Sequence, residues 1–538
     1  MAMTAPATDQ ICAAATDGRR YRIDAVTLLV GCWLVGLGFL MPGHYPPWLS
    51  FESQALSALG VWTIGVATVR AEWTGPGQWR LLALPAVAVA LAVVSLIQLA
   101  AGIAWFTSDA VLATAYLCAF AAAAVVGRTL MTASGAAAVV ALAWTLLFSA
   151  LVSAAVALVQ WQQLSVPFPL AALPPGGRPF GNLGQPNHQA TLMALGLVAL
   201  VYVHERRFVG AGTAALAAAL LGWALVMTQS RTGWVFVALF VVWWAWQRRR
   251  ADVRLPGAAV AAAVVCFAAA VWAWYPINDA LALGTGRALA ERAEGGTRLI
   301  HWATMWDAAW SRPWGGFGWG HTPVAQTSAA LNHPASGEWL ESSHNLLLDL
   351  IVHNGIPIGL AVAAVLAAWF VHHVRACRSV EQWTLIAAVG AVFNHAMFEY
   401  PLDHAYFLLP VGVMMGMLDA KAPFGRLALP LHRGGVAFVV AALAAMLAWV
   451  SVEYLRVEEA ARQLRFRSIG LVLADESAAD TPNVRLLDQP REFHRYALTP
   501  AREGMNADEL DWMRRVAMRS PRPPVLLRYA LASGINGR

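Results

Sequence analysis

The chain has 538 residues, 59% of them hydrophobic and only 13% charged, with a mean hydropathy of +0.55. Soluble domains carry about a quarter charged residues, so the composition excludes a string of soluble domains and implies a polytopic, all-α integral membrane protein. A formal charge of +6 does not mark a nucleic-acid binder, because the arginines sit in short loops between apolar runs, where they orient the chain.

A polar leader, residues 1–23, carries Arg19, Arg20 and Arg22 and lacks a small-residue cleavage site, so the first apolar run is expected to stay as a span. Runs of roughly 17–25 apolar residues, long enough to cross a bilayer, predict spans at 24–41, 53–70, 81–102, 108–127, 136–160, 189–204, 210–228, 232–247, 257–275, 346–372, 383–398, 403–419 and 434–452. That makes 13, and the pair around 383–419 also suits a re-entrant hairpin.

With the N-terminus inside, Arg70 and Arg80, Arg128, Arg206 and Arg207, Arg248 to Arg250 with Arg254, Arg375 and Arg378, and Lys421 with Arg426 and Arg433 all fall on the cytoplasmic side. The alternate connections at 42–52, 103–107 and 399–402 hold no Arg or Lys. This is the positive-inside pattern. It predicts a transmembrane domain over 24–452, a large outer loop at 276–345 and an outer tail at 453–538. Amphipathic patterning in "VEYLRVEEAARQLRFRS" and "ADELDWMRRVAMRS" makes that tail a small, mainly helical domain. The cysteines Cys12, Cys32, Cys118, Cys266 and Cys377 form neither a disulfide framework nor a metal-ligand pattern.

Six outer-face stretches carry polar or glycine-rich sequence that membrane packing alone does not require. "RPFGNLGQPNHQATLMALG" places Arg178, Asn182, Gln185, Asn187 and Gln189 at the mouth of a span. Amides there donate and accept hydrogen bonds without adding charge, and a helix-start packing role is the plain alternative. In "MTQSRTGW", Arg231 is either an interfacial snorkelling residue or a bidentate phosphate ligand, with Ser230 and Thr232 beside it. Arg298, in "GGTRLIHWATMWDAAW", would complete a diphosphate clamp with Arg231. "RPWGGFGWGH" is a Gly-rich turn without the Gly-Lys-Ser/Thr of a phosphate loop, expected to pack the loop backbone closely against the membrane surface.

His344, in "ESSHNLLLDLIVHNGI", sits where the outer loop enters a span, with Asn345 next to it and Ser342 or Ser343 as the expected cap. An imidazole, titrating near about 6.5, suits a general base. His353, nine residues on, would face the other side of a continuous helix, and no carboxylate-rich metal cluster accompanies it. Tyr400, in "NHAMFEYPLDHAYF", is an aromatic-belt or site tyrosine. Its neighbours Glu399 and Asp403 raise a two-carboxylate glycosidase, ranked low for want of a partner motif.

The motifs "GNLGQPNH", "TQSRTGW", "TRLIHW" and "SHNLLLDLIVHNGIPIG" occur in an order that resembles the O-antigen ligase and polymerase superfamily. "GQPNHQA" and "FEYPL" look most like its bacterial protein O-oligosaccharyltransferases, the PglL-type enzymes that glycosylate pilin. The resemblance implies transfer of a glycan from undecaprenyl-diphosphate to Ser or Thr of a periplasmic acceptor protein at the inner membrane. It further implies catalysis by His344, Arg298 and Arg231, and substrate contacts from Gln185, Asn187 and Tyr400. Arg178 and Asn345 join these as substrate contacts, and no metal or other cofactor is expected. A ligase acting on lipid A-core and an O-antigen polymerase would use the same residues. A transporter of polyprenyl-linked or anionic solutes would instead spread its polar groups through the membrane depth.

Overall fold

The computed structural model describes residues 23–73, 79–167, 170–174, 176–283, 296–471 and 481–538. The expected leader, apart from Ile23, and Cys12 lie outside them. Helix dominates. Helices α1 (Ala25–Leu40), α2 (Phe51–Trp73), α3 (Ala83–Ala100), α4 (Thr107–Ser134) and α5 (Ala136–Trp161) come first. After the polar interruption follow α6 (Pro186–Glu205), α7 (Ala211–Met227), α8 (Arg231–Gln247) and α9 (Gly257–Ala280). The long loop holds α10 (Gly296–Ser311) and α11 (Thr322–Ala329). Then come α12 (Leu346–Asn354), α13 (Ile356–Ala376), α14 (Val380–Ala396), α15 (Ala405–Lys421) and α16 (Arg433–Ser468). The tail adds α17 (Asp488–Leu498), α18 (Ala507–Arg519) and α19 (Pro523–Ile535). One departure from an all-α fold is a small antiparallel ribbon, β1 (Arg80–Leu82) on β2 (Ala428–Pro430), with Leu81 opposite Leu429.

Among the described residues, six helices are long and apolar enough to cross a membrane: α3, α4, α5, α9, α13 and α16. The chain is a multi-pass membrane protein on that count alone. Other helices miss that test on length or composition; α1 and α7 are apolar but shorter than 18 residues, and α6 carries buried polar groups. Packed among α5, α7, α8 and α14, α6 buries Asn187, His188, Gln189 and Thr191 in its first turns. Polar groups are tolerated at membrane depth where neighbouring helices satisfy them. By contrast α9 and α16 leave most of their surface open.

The tightest helix pair fixes α15. A Cβ on Gly127 of α4 would stand 2.0 Å from the Val413 carbonyl oxygen, and one on Gly416 of α15 would stand 1.8 Å from that of Ala124. Both positions must lack a side chain for the backbones to touch.

Two expectations are corrected. The span foreseen at 346–372 is two helices, α12 and α13, broken at Gly355, whose φ is 85°. Gly355 caps α12 and Pro357 opens α13, and the Gly-rich turn docks on the break between them. Phe317 and Gly318 donate backbone hydrogen bonds to Val352 (2.8 Å) and His353 (3.1 Å), and Ile356 donates to Pro313 (2.7 Å). A Cβ on Gly316 would lie 2.6 Å from the Gly355 nitrogen. The turn therefore packs onto the helix break rather than the membrane surface. The second correction concerns "VEYLRVEEAARQLRFRS", which is no separate element. It continues α16 unbroken through the boundary drawn at 453 as far as Ser468.

The tail then folds back on one end of the bundle. Glu453 accepts from the backbone N–H groups of Arg485, Leu486 and Leu487, each at 2.9 Å. Asp488 accepts from Thr107 and Ser108 at the start of α4, both at 2.8 Å. Arg519 binds Asp109 through two nitrogens, at 3.0 and 2.9 Å.

Candidate active site

The turn between α14 and α15 places Glu399 at a point where five distant segments meet. Its carboxylate is buried, with 6% of the side chain exposed. Oε2 lies 2.7 Å from His344 Nδ1. Oε1 accepts from Asn187 Nδ2 at 2.9 Å and from Arg298 Nη2. Ser230 donates to Asn187 Oδ1 at 2.7 Å, tying in the start of α8. Of the expected site residues, Asn187, Arg298 and His344 thus converge on a carboxylate considered in the sequence only as one of a pair with Asp403.

His344 is not on a helix. It stands in the left-handed region at φ 58°, before the α12 cap. Its N–H donates to Ser342 Oγ at 3.1 Å. Asp349 holds that loop, accepting from Ser342 Oγ (2.6 Å) and the Ser343 N–H (2.7 Å). The helix cap is Asn345, not a serine: its Oδ1 accepts from Leu347 (3.0 Å) and Leu348 (3.2 Å). Its Nδ2 donates to the Met397 carbonyl at 3.1 Å, which locks the His344 loop to the Glu399 turn. Both halves of the Asn345 amide are engaged within the protein. His353 belongs elsewhere, against Thr322 at 3.0 Å and the Trp319 ring.

The electrostatics follow from this packing. Burial pushes the Glu399 carboxyl up, but the His344 hydrogen bond and the charges of His344, Arg298 and His395 together outweigh it, and the net shift is downward. A carboxylate at Oε2 accepts a hydrogen bond from His344 Nδ1, so in the neutral form of the ring the lone pair lies on Nε2. The His344 side chain is 24% exposed, so that lone pair is open to an incoming group.

Tyr400 closes one side, its ring 5.1 Å from the His344 ring at 85°. Burial first, then the charges of Glu399, Glu341 and Asp403, raise its hydroxyl well above the ordinary range, so it stays a proton donor. His301, one turn beyond Arg298 on α10, lies 6.3 Å from the His344 ring. It is buried, and neither ring nitrogen makes a hydrogen bond. Burial chiefly lowers its pKa, which keeps it neutral. Sequence reasoning missed Glu399 and His301. Both stood in quoted motifs, "FEYPL" and "TRLIHW", and His301 shares a helix face with Arg298 at a spacing of three residues.

The remaining candidates divide by position. Arg231 is the first residue of α8, exposed, and its side chain makes no ion pair or hydrogen bond among the described residues. Gln185 is the N-cap of α6, its Oε1 accepting from His188 at 2.9 Å, with Pro186 at the first helical position. Arg178 is half-buried in the segment leading to that cap. Gln189 binds Ser153 through both ends of its amide (2.6 and 3.2 Å). Asn182 bridges Leu40 and Ala171 at 2.8 and 3.2 Å. These last two do the packing work foreseen as their alternative role.

Known proteins match the chain on the segments that build this site. A family model described as "Protein glycosylation ligase" matches residues 179–204, which hold Gln185 and Asn187. One described as "O-Antigen ligase" matches 216–364, which hold Arg231, Arg298 and His344. One described as "Virulence factor membrane-bound polymerase, C-terminal" matches 383–538, with Glu399 and Tyr400. The chain is 31% identical over 406 residues to the general O-oligosaccharyltransferase of Acinetobacter baylyi, covering 74% of this chain and 70% of that protein. It is also 28% identical over 298 residues to the ComP-specific O-oligosaccharyltransferase of the same organism, covering 52% of this chain and 51% of that protein. With its site spread across all three matched segments, the chain belongs to the bacterial O-oligosaccharyltransferases of the O-antigen ligase superfamily, and is a membrane glycosyltransferase.

Proposed function

We propose that the protein transfers an oligosaccharide from undecaprenyl-diphosphate to a Ser or Thr hydroxyl of a periplasmic, pilin-like acceptor. The observation that carries this reading is the His344–Glu399 pair, with one imidazole nitrogen held on a buried carboxylate and the other open. Glu399 orients His344 and stabilises it once protonated, the logic of a carboxylate behind a catalytic imidazole. The acceptor hydroxyl gives its proton to His344 Nε2 as its oxygen bonds to the anomeric carbon. The bond from that carbon to the diphosphate oxygen breaks, the electron pair leaves with the diphosphate, and configuration inverts.

Arg231 and the Arg298 donors not directed at Glu399 bind the diphosphate and stabilise the charge it gains. Arg298 is thus a shared residue, half of it pairing Glu399, while Arg231 is the freer cation. Asn187 and Asn345 act as positioning residues. Tyr400 and the Gln185 amide nitrogen face the sugar and acceptor, with Arg178 at the rim.

In the membrane, the N-terminus is cytoplasmic, 13 helices cross the inner membrane within 24–452, and the 276–345 loop and the tail beyond α16 are periplasmic. The positive-inside pattern supports this orientation. Co-expression with a lipid-linked glycan pathway and a pilin acceptor in a ligase-deficient host tests the function. Glycosylated pilin is the expected product, and glycan on lipid A-core alone would overturn the reading.

A further inference from the structure

Just before His344 the chain passes α11, and one side chain there stands in for a neighbouring strand. Gln326 Nε2 donates to the Glu338 carbonyl at 2.8 Å, and Gln326 Oε1 accepts from the Leu340 N–H at 2.8 Å. A carbonyl and the N–H two residues on share one side of an extended chain, and the residue between them presents its own pair to the other side. The Trp339 N–H and C=O therefore face away from Gln326. They have no hydrogen-bond partner among the described residues, and neither do those of Glu341. Glu338 and Glu341 are exposed and Trp339 is half-buried, so this edge lies at the surface.

The segment is held in place from behind. Leu340 is buried in a core with Met305, Phe317 and Ile351, and Met518 of α18 packs against it. Arg522, at the head of α19, lies over the Trp339 ring, 5.0 Å from its centre. Glu338 Oε2 comes within 3.7 Å of His301 Nε2, and the His301 ring is the neighbour of His344. An unpaired backbone edge on a segment fixed in this way is a template for another chain.

We infer that the Trp339 edge takes the acceptor polypeptide as an added strand, whose main chain pairs with the Trp339 N–H and C=O and whose hydroxyl residue reaches His344. This rests on the reading of the site given above. Chemistry is the first reason: an extended peptide carries the alternating N–H and C=O groups that match such an edge, and a lipid-linked glycan does not. Reach is the second. Trp339 precedes His344 by five residues, a span of at most about 18 Å, so an acceptor paired at Trp339 brings a side chain a few residues further on to the imidazole. Rigidity is the third: with the edge already held by Gln326, Leu340 and Arg522, binding orders only the acceptor. Main-chain pairing reads conformation rather than sequence, so the edge selects acceptor serines in segments that are exposed and free to extend.

Measurements on the full chain in lipid nanodiscs test this. A synthetic peptide spanning the modified serine of the pilin acceptor is N-methylated at one position after another. Methylation of the N–H that pairs with the Trp339 carbonyl should raise the acceptor KM on the order of 2- to 10-fold, the worth of one main-chain hydrogen bond. The residues on either side of it, whose N–H groups point away, should tolerate the methyl group. A flat profile would overturn the inference. On the enzyme, Trp339→Pro and Trp339→Ala both lose the indole, but only the proline loses the edge N–H. The proline variant should show the higher acceptor KM by a similar factor, with the donor KM and kcat of the two alike; equal acceptor KM in the two folded variants also counts against the edge.

A benzoylphenylalanine in place of Glu338 separates this inference from the activity it rests on, because it reports the peptide whether or not transfer occurs. Capture of the parent peptide, weakened by the same single N-methyl group, is the expected result. Capture without glycosylation upholds the edge and refutes the proposed activity. Glycosylation with a flat methylation profile does the reverse, and a peptide neither captured nor glycosylated refutes both.

Discussion

The molecule holds a buried histidine–carboxylate pair at each end of α15. Above it, His344 Nδ1 meets Glu399 at 2.7 Å; at its foot, His373 Nε2 meets Asp419 at 3.0 Å. The residue types and distances are nearly the same, yet the surroundings are opposite. His373 is fully buried, its other nitrogen is sealed in without a partner, and Asp419 also takes the Trp369 indole N–H at 3.0 Å. His344 keeps an open nitrogen, and its carboxylate is shared with a guanidinium. An imidazole–carboxylate pair is therefore not a catalytic signature in itself. Access to the second nitrogen and a cation alongside separate a reacting pair from one that pins α13 to α15.

The comparison breaks most easily at the histidines. His344→Ala should cut transfer about 10²- to 10⁴-fold, the usual contribution of a general base, with little change in the melting transition. His373→Ala should leave transfer per folded molecule near normal and lower stability by about 3–5 kcal/mol, because Asp419 stays buried without its partner. Initial rates and thermal unfolding on both variants decide it; a His373→Ala protein as inactive as His344→Ala would end the distinction.

The carboxylates come next. Glu399→Gln should lower kcat by about 10- to 100-fold and barely move KM, as the oriented imidazole loses its counter-charge. Asp419→Asn should leave both constants alone.

A pH series sharpens the contrast further. The Glu399 carboxyl lies below its ordinary 4.5 in the folded protein, so the folded state holds this proton less tightly than the unfolded state. Its contribution to stability is complete above 4.5 and is lost as pH falls through the lower folded value. Unfolding midpoints of the parent should drop in that acidic window by more than those of Glu399→Gln.

The smallest effect is expected at Gln185. Gln185→Ala removes a cap bond to His188 and should cost about 1 kcal/mol of stability, read by thermal unfolding. Its transfer rate should fall only a few-fold, as befits a residue at the rim.

Much of this architecture was legible in advance. Apolar runs and arginine spacing located the helices, and four polar stretches delivered Asn187, Arg298, His344 and Tyr400 to one place. The carboxylate at the centre was not legible. Glu399 lies 55, 101 and 212 residues from His344, Arg298 and Asn187, and no local period encodes such distances. Read locally, Glu399 pairs only with Asp403 as a glycosidase-like couple, and its three distant partners are invisible. The break at Gly355 did have a local signal, a glycine with Pro357 two residues on, which the apolar run through 346–372 outweighs in a reading by hydropathy alone. The amide side chains expected as substrate contacts turn out to have partners within the protein. Asn187 and Asn345 have the right chemistry for a sugar, but the fold uses each of them at both ends.

One feature of His344 bears on how the site is maintained. Its left-handed backbone, φ 58°, is reached most readily by asparagine, less so by histidine and least by alanine, for which the steric cost is roughly 1–2 kcal/mol. Two inactive proteins should therefore part company: His344→Asn should melt above His344→Ala, although neither has an imidazole. Foldability alone would favour an amide at this position. The imidazole persists against that preference, which makes residue 344 a place where the protein gives up conformational ease for chemistry.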